Sequence, residues 1–265
     1  MQIIKAHYKD RYHDTFIKIE NTQGEYVSDP FSFTLDGVRF VGTSLTDFEP
    51  AEGSDTEKAC EKFDIFKSGG FELDVFGAEG LGVSYTYELC RYSLEADMPV
   101  RVVRRSDNSE LEGQLRISFE YKEHDPEKPQ GRYICDNETV YHDDLIIHCF
   151  ALMVDGKEYP CSNMTPDFET ALSEISRLMA DEYYLKCCFT CRYSDYSPYG
   201  NDDFGTMQCF KDQKEEYLKV NTKMDYFEHL DESKCTYRQE TYLCEEYAVR
   251  NKAEGYRGYV EGVYS

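Results

Sequence analysis

Positive charge is scarce in this chain. Lys and Arg total 29 against 52 Asp and Glu, a formal net charge of -23 over 265 residues. Such a surface repels phosphate backbones and anionic lipid, which argues against ordinary nucleic-acid or membrane-surface binding. Long apolar runs are scarce as well. The greasiest stretch, residues 145–154, is interrupted by His148 and falls far short of the roughly 20 residues that a membrane span needs. The N-terminus, MQIIKAHYKDRYHD, lacks the apolar stretch of a signal peptide, so the expected location is the cytoplasm. Familiar catalytic signatures are missing too. There is no G-x-S-x-G, no H-E-x-x-H, no Walker-type loop and no Rossmann fingerprint. Gly77, Gly80 and Gly82 have the wrong spacing for one.

What is present describes a folded protein. Aromatic residues make up 15% of the chain, with 23 Tyr and 16 Phe, which excludes a disordered acidic polymer. At 31.0 kDa, one large domain or two ordinary ones can bury a real core. The acidity is not a tail. Residues 181–265 hold 17 acids and 11 bases, so most of the excess lies upstream.

Short runs of β-branched and aromatic residues recur at 15–19, 38–41, 83–87, 100–103 and 115–121. Leu115, Ile117, Phe119 and Tyr121 alternate with polar partners, the period of a half-buried strand. Asp155-Gly156 after an apolar run predicts a hairpin turn. Residues 50–59 and 122–132 are polar, with Pro and Gly, and read as loops. The expected fold class is α+β: a β-rich sandwich or open barrel over residues 1–160. A helix and a cysteine-rich, zinc-stabilised region follow over 161–265.

The helix is predicted over 166–179, with Thr165 as N-cap and Pro166 at the first helical position. Phe168, Leu172, Ile175 and Met179 share one face. A second, shorter helix is predicted at 222–230, where Met224, Phe227 and Leu230 repeat at three.

The chain has 11 cysteines, crowded toward its second half. In a reducing compartment such clustering suggests metal binding or buried thiols more than disulfides. Cys188-x-x-Cys191 can bend two thiolates around one ion, and Cys209 and Cys244 would complete a tetrahedral structural zinc site. Cys187 and Cys235 are spare candidates. The alternatives are buried thiols acting as small hydrophobes, or a redox pair, which would need a βαβ setting that the following Ser, Asp, Pro and Gly do not provide. The loop 193–205 carries Tyr193, Asp195, Tyr196, Tyr199, Asp202 and Asp203. Pro and Gly would fix its backbone while tyrosines offer contact area, so it is a candidate binding loop. Its rings could equally cover the metal site or fill the core around it.

Other polar clusters have simpler explanations. Asp155-Gly156-Lys157, with Asp143 or Asp144 upstream, mimics half of a metal-dependent nuclease site, yet turn chemistry explains it. His142, Asp143 and Asp144 are consecutive and cannot all face one ion from a strand.

The segment 188–200, C-x-x-C-x-Y-S-D-Y-S-P-Y-G, resembles a family of uncharacterised bacterial proteins. The likeness continues in Cys209-Phe210, in Gln239 through Cys244 and in Gly255 through Gly258, with upstream matches at 154–159 and 167–172. It brings no activity with it. Bacterial proteins of this size and acidity look like immunity partners of toxin systems. The resulting expectation is a non-catalytic acidic protein that binds a basic, nucleic-acid-acting toxin. The alternative is an enzyme with an unrecognised zinc or cysteine-dependent site.

Overall fold

Alternating side chains dictate the strands. From Tyr92 to Val102 and from Gly113 to Phe119 every second residue is buried, including Leu94 and Ala96 on the first run and Leu115, Ile117 and Phe119 on the second. The computed structural model describes residues 1–24, 28–71, 83–121, 131–135, 138–142, 145–162, 167–198 and 204–250, and for 67–71, 83–86, 131–135 and 138–142 the backbone alone. In chain order the strands are β1 (Gln2–Lys9), β2 (Asp14–Asn21), β3 (Phe31–Leu35), β4 (Val38–Gly42), β5 (Glu49–Pro50), β6 (Ile65–Phe71), β7 (Val83–Leu89), β8 (Tyr92–Arg104) and β9 (Glu110–Tyr121). After them come β10 (Gly131–Cys135), β11 (Glu138–His142), β12 (Leu145–Val154), β13 (Lys157–Pro160), β14 (Tyr183–Leu185), β15 (Ser194–Asp195), β16 (Met207–Cys209) and β17 (Thr236–Arg238). The helices are α1 (Thr56–Lys62), α2 (Phe168–Leu178), α3 (Lys214–Tyr217) and α4 (Lys223–His229).

Ten strands form one antiparallel sheet in the order β13-β12-β9-β8-β1-β2-β3-β4-β5. β14 is the tenth, pairing with β8 at Val102–Arg104, beyond the residues 93–97 that β1 covers. The expected β-rich N-terminal region is there, and its main strands join one hydrogen-bonded ladder whose edges, among the described residues, are β5 and β13. Two hairpins fix its register. Asp155-Gly156 turns β12 into β13 with both φ positive, at 51° and 75°, and Val154 opposite Lys157. Asp36-Gly37 does the same between β3 and β4, at 49° and 78°. Both are the mirror-image turns whose twist matches a hairpin.

One face of the sheet is the core. Tyr8, Phe31, Phe40, Tyr92 and Phe119 are fully buried on it. α2 packs there through Phe168, Leu172, Ile175 and Met179, all at most 1% exposed, as the spacing predicts. Its start differs from the prediction. Asp167 is the N-cap and accepts from the Thr170 N–H at 2.6 Å, so the helix opens at Phe168; Thr165 and Pro166 lie outside the described residues. The core continues beyond residue 160, because α2, β14, Phe189, Tyr196, Phe204 and Met207 belong to the same cluster as the sheet.

Two further expectations need correction. Within 50–59 a helix begins: Asp55 caps α1 by accepting from the Lys58 N–H at 3.1 Å. Seven residues with a single buried position, Ala59, give almost no hydrophobic period to read. The second predicted helix exists, capped by a reciprocal Thr222–Asp225 box, but it turns the other way. Tyr226 is its buried residue, while Met224 and Phe227 are 62% and 40% exposed. A repeat of three drifts around a helix of 3.6 residues per turn, and Tyr226 has Phe210 to pack on, ring centroids 6.0 Å apart. Among the described residues no helix is long and apolar enough to cross a membrane.

Candidate functional site

The cysteine-rich signature packs against the end of the main sheet and folds around its own backbone. Residues 188–190 form a single tight turn closed by the Cys191 N–H donating to the Cys188 carbonyl at 3.0 Å. The incoming C-terminal segment supports that turn, since Cys188 N–H donates to Tyr242 O at 2.7 Å and Phe189 N–H to Glu240 O at 2.9 Å. The Thr190 hydroxyl donates to Leu185 O at 2.6 Å, and the Ser194 hydroxyl donates to Cys188 O. After the turn, β15 pairs with β16 so that Ser194 lies opposite Cys209, and β17 completes a three-stranded sheet.

Polar groups of the signature are buried and satisfied. Asp195 is 3% exposed and accepts from the Tyr217 hydroxyl and from the Tyr196 N–H, each at 2.9 Å. Arg250, 4% exposed, sits 3.9 Å from the same carboxylate. It donates through Nε to Cys191 O at 3.0 Å and through Nη2 to Ser194 O, so it staples the C-terminal segment onto the turn. Burial and the neighbouring Asp195 push the Tyr217 phenol well above its ordinary value. Glu240 is fully buried; its carboxylate accepts from the Tyr196 hydroxyl at 3.0 Å and from the Gly205 N–H at 2.7 Å. Burial raises its pKa to about 8, despite those two donors. Gly205 has φ +104°, and a Cβ there would meet Thr43 O at 3.1 Å. Only glycine fits that turn comfortably. Phe204 beside it is buried between Phe31 of β3 and Phe168 of α2, with centroids 6.2 and 5.7 Å away.

These contacts decide the fate of the expected binding loop. Asp195 and Tyr196 face inward and hold the loop together, so they offer no surface to a partner. Tyr193 is half-buried, with the Lys214 ammonium 4.9 Å from its ring centroid. Tyr199, Asp202 and Asp203 lie outside the described residues, as do Asp143 and Asp144 and the glycines at 77, 80 and 82. Glu240, Arg250 and Tyr217 were not singled out from sequence. Glu240 stands inside the Q-E-T-x-L-C motif, which was the available signal; Arg250 carries none.

The four cysteines expected to meet are Cys188, Cys191, Cys209 and Cys244. The first three are buried and Cys244 is partly so. Burial raises the Cys188 thiol well above its ordinary value, and charge on Cys191, Cys209, Cys187 and Cys244 would raise it further. The Cys188 thiol therefore lies near enough to the other four to feel their charge. Burial pushes Cys187 and Cys235 up to about 12. The ten cysteines whose side chains are described form no disulfide with one another. Among the described residues no three His, Cys, Asp or Glu side chains are arranged to hold a metal ion.

No curated protein and no solved structure matches this chain. A family of unknown function, DUF6304, matches residues 2–194, from β1 to the Cys188–Cys191 turn. The match spans the main sheet, α2 and the first half of the signature, and the chain belongs to that family.

Proposed function

We propose that this chain is a non-catalytic acidic binding protein that engages a basic protein partner, in the manner of an immunity protein neutralising a nucleic-acid-acting toxin. The observation that supports it is the division of labour among carboxylates. Asp195 and Glu240, the acids of the signature, are enclosed and satisfied by internal donors, whereas the excess behind a net charge of -23 remains for the surface. A cleft built to hold phosphate presents a positive field, and opposite fields speed association and select partners. Nucleic acid and membrane are poor partners for the same reason.

The test is binding to basic nuclease-toxin domains, beginning with any encoded beside this gene, measured by interferometry at two salt concentrations. Submicromolar, salt-weakened binding that abolishes the nuclease activity at one equivalent is the expected outcome. Absence of binding, or binding that leaves the nuclease fully active, overturns the reading.

A structural zinc on Cys188, Cys191, Cys209 and Cys244 is a second proposal, supported by the Cys188-x-x-Cys191 spacing; the side chains as placed are not arranged around an ion, so binding would require them to turn toward one another. Neutral thiols have no charge to draw them together, whereas zinc binds thiolates and releases their protons. Four sulfurs would close the site, which separates it from a catalytic zinc with an exchangeable position.

A further inference from the structure

One face of the main sheet carries the core, while across β12, β9, β8, β1, β2, β3 and β4 the described residues leave the other face bare. Lys5, Lys18, Glu95, Asp97, Arg116 and His148 all stand exposed on it. Three hollows open there. The charged side chains lining them are six cations, Lys5, Lys9, Lys18, Arg39, Arg91 and Arg116, against five carboxylates, Asp10, Glu20, Glu95, Asp97 and Glu120. Asp14, exposed on the same face against His7 and Lys9, makes the signs equal at six each, so on a molecule of net charge -23 this region is balanced. Opposite signs meet on three of the strands, Arg116 opposite Asp97 and Asp97 opposite Lys5, while Lys5 faces Lys18 on β2.

The centre of the face is aromatic. Phe16 is 82% exposed and stands beside the His7 ring, centroids 5.0 Å apart. Ile3 and Ile146, 44% and 37% exposed, lie on the same face. Phe16 protrudes between two hollows. One, of about 300 Å³, is bordered by Lys5, Glu95 and Arg116; the other, of about 530 Å³, by Lys18, Leu35 and Arg39.

We propose that this sheet face is where two copies of the chain meet around a two-fold axis, each Phe16 entering a hollow beside the other. Three arguments select a second copy as the occupant. Two bodies of charge -23 repel each other over most approaches, so they meet most readily where charge is balanced. A knob with a hollow next to it is self-complementary, which a two-fold contact requires. Seven strands about 4.8 Å apart and about eight residues long make a face of ~900 Å², against about 800 Å² per partner in a stable interface. A basic partner gains little here, since it would meet as many cations as carboxylates. This contact is separate from the acidic surface of the proposed function.

The experiment is sedimentation equilibrium of the full chain from about 1 to 100 μM, with Phe16→Asp and, as a control, Met224→Asp on the exposed side of α4. The expected result is a dimer of the 31.0 kDa chain. Phe16→Asp should weaken it at least about tenfold while leaving unchanged the melting temperature measured at a dilution where both proteins are monomeric, and Met224→Asp should leave the dimer intact. A monomer throughout the range overturns the proposal. So does a dimer that Phe16→Asp leaves intact or that Met224→Asp disrupts, since the contact would then lie elsewhere. A monomer that binds a different protein through Phe16 also overturns it, assigning the face to that partner.

Discussion

Asn21 and Gln239, 218 residues apart, exchange two hydrogen bonds: each side-chain amide donates to the other's carbonyl at 2.9 Å. Both are buried, at 0% and 1% exposure. The pair joins the end of β2 to the segment that supports the cysteine turn. Asn21 also donates to Gln2 at 3.0 Å and accepts from the Gln23 N–H at 2.8 Å. Replacing either amide by Leu should cost about 1–3 kcal/mol, because it strands the other amide in the core. The double replacement should cost less than the sum of the two. Urea unfolding of the four proteins checks this, and strict additivity would mean that the two amides act independently.

Glu240 should make stability depend on pH. Its ordinary value is 4.5 and the folded value is about 8, so between these the folded state holds more protons than the unfolded one. Stability from this group is full below pH 4.5 and declines as pH rises to about 8. Glu240→Gln keeps an acceptor for the Gly205 N–H and removes the titration. The variant's urea midpoint should therefore be flatter than the parent's between pH 5 and 8, with the gain largest at the alkaline end. Parallel curves would place the titration elsewhere.

Phe204 and Gly205 anchor the far end of the signature loop. Phe204→Ala removes a ring wedged between β3 and α2 and should cost about 3–5 kcal/mol. Gly205→Ala places a side chain in left-handed backbone against Thr43 O and should cost at least about 1 kcal/mol. Phe16→Ala, on the exposed sheet face, should fall within about 0.5 kcal/mol of the parent when both are monomeric. Thermal melts of the three variants rank these effects.

Cysteine replacement and metal analysis should agree. Protein purified without chelator is expected to carry about one zinc per chain. Chelation or Cys188→Ser should raise amide exchange across residues 187–250 more than across β8 and β9. Cys90→Ser, at a buried position between β7 and β8, should have only a local effect. Less than about a tenth of an equivalent of zinc would leave the buried-thiol explanation.

Much of the fold was legible because strands and α2 write their burial locally. Leu115, Ile117 and Phe119 alternate with polar neighbours, Phe168 to Met179 repeat at helical spacing, and Asp155-Gly156 turns as that dipeptide does. α1 left too few buried positions to show a period. In α4 the helix itself was visible from Thr222, but its orientation was not, because Phe210 selects Tyr226 and leaves Met224 and Phe227 outside.

The sequence by itself determined the acidic balance, the alternation that makes a β-rich body and the helical face of α2, since each depends on residue type and near neighbours. Tertiary structure decided which side of the signature faces inward. Asp195, Tyr196 and Glu240 look like surface groups until Tyr217, Gly205 and Arg250 arrive from distant segments to satisfy them. Desolvating a carboxylate is unfavourable unless donors meet it, and no local pattern reveals whether those donors will come.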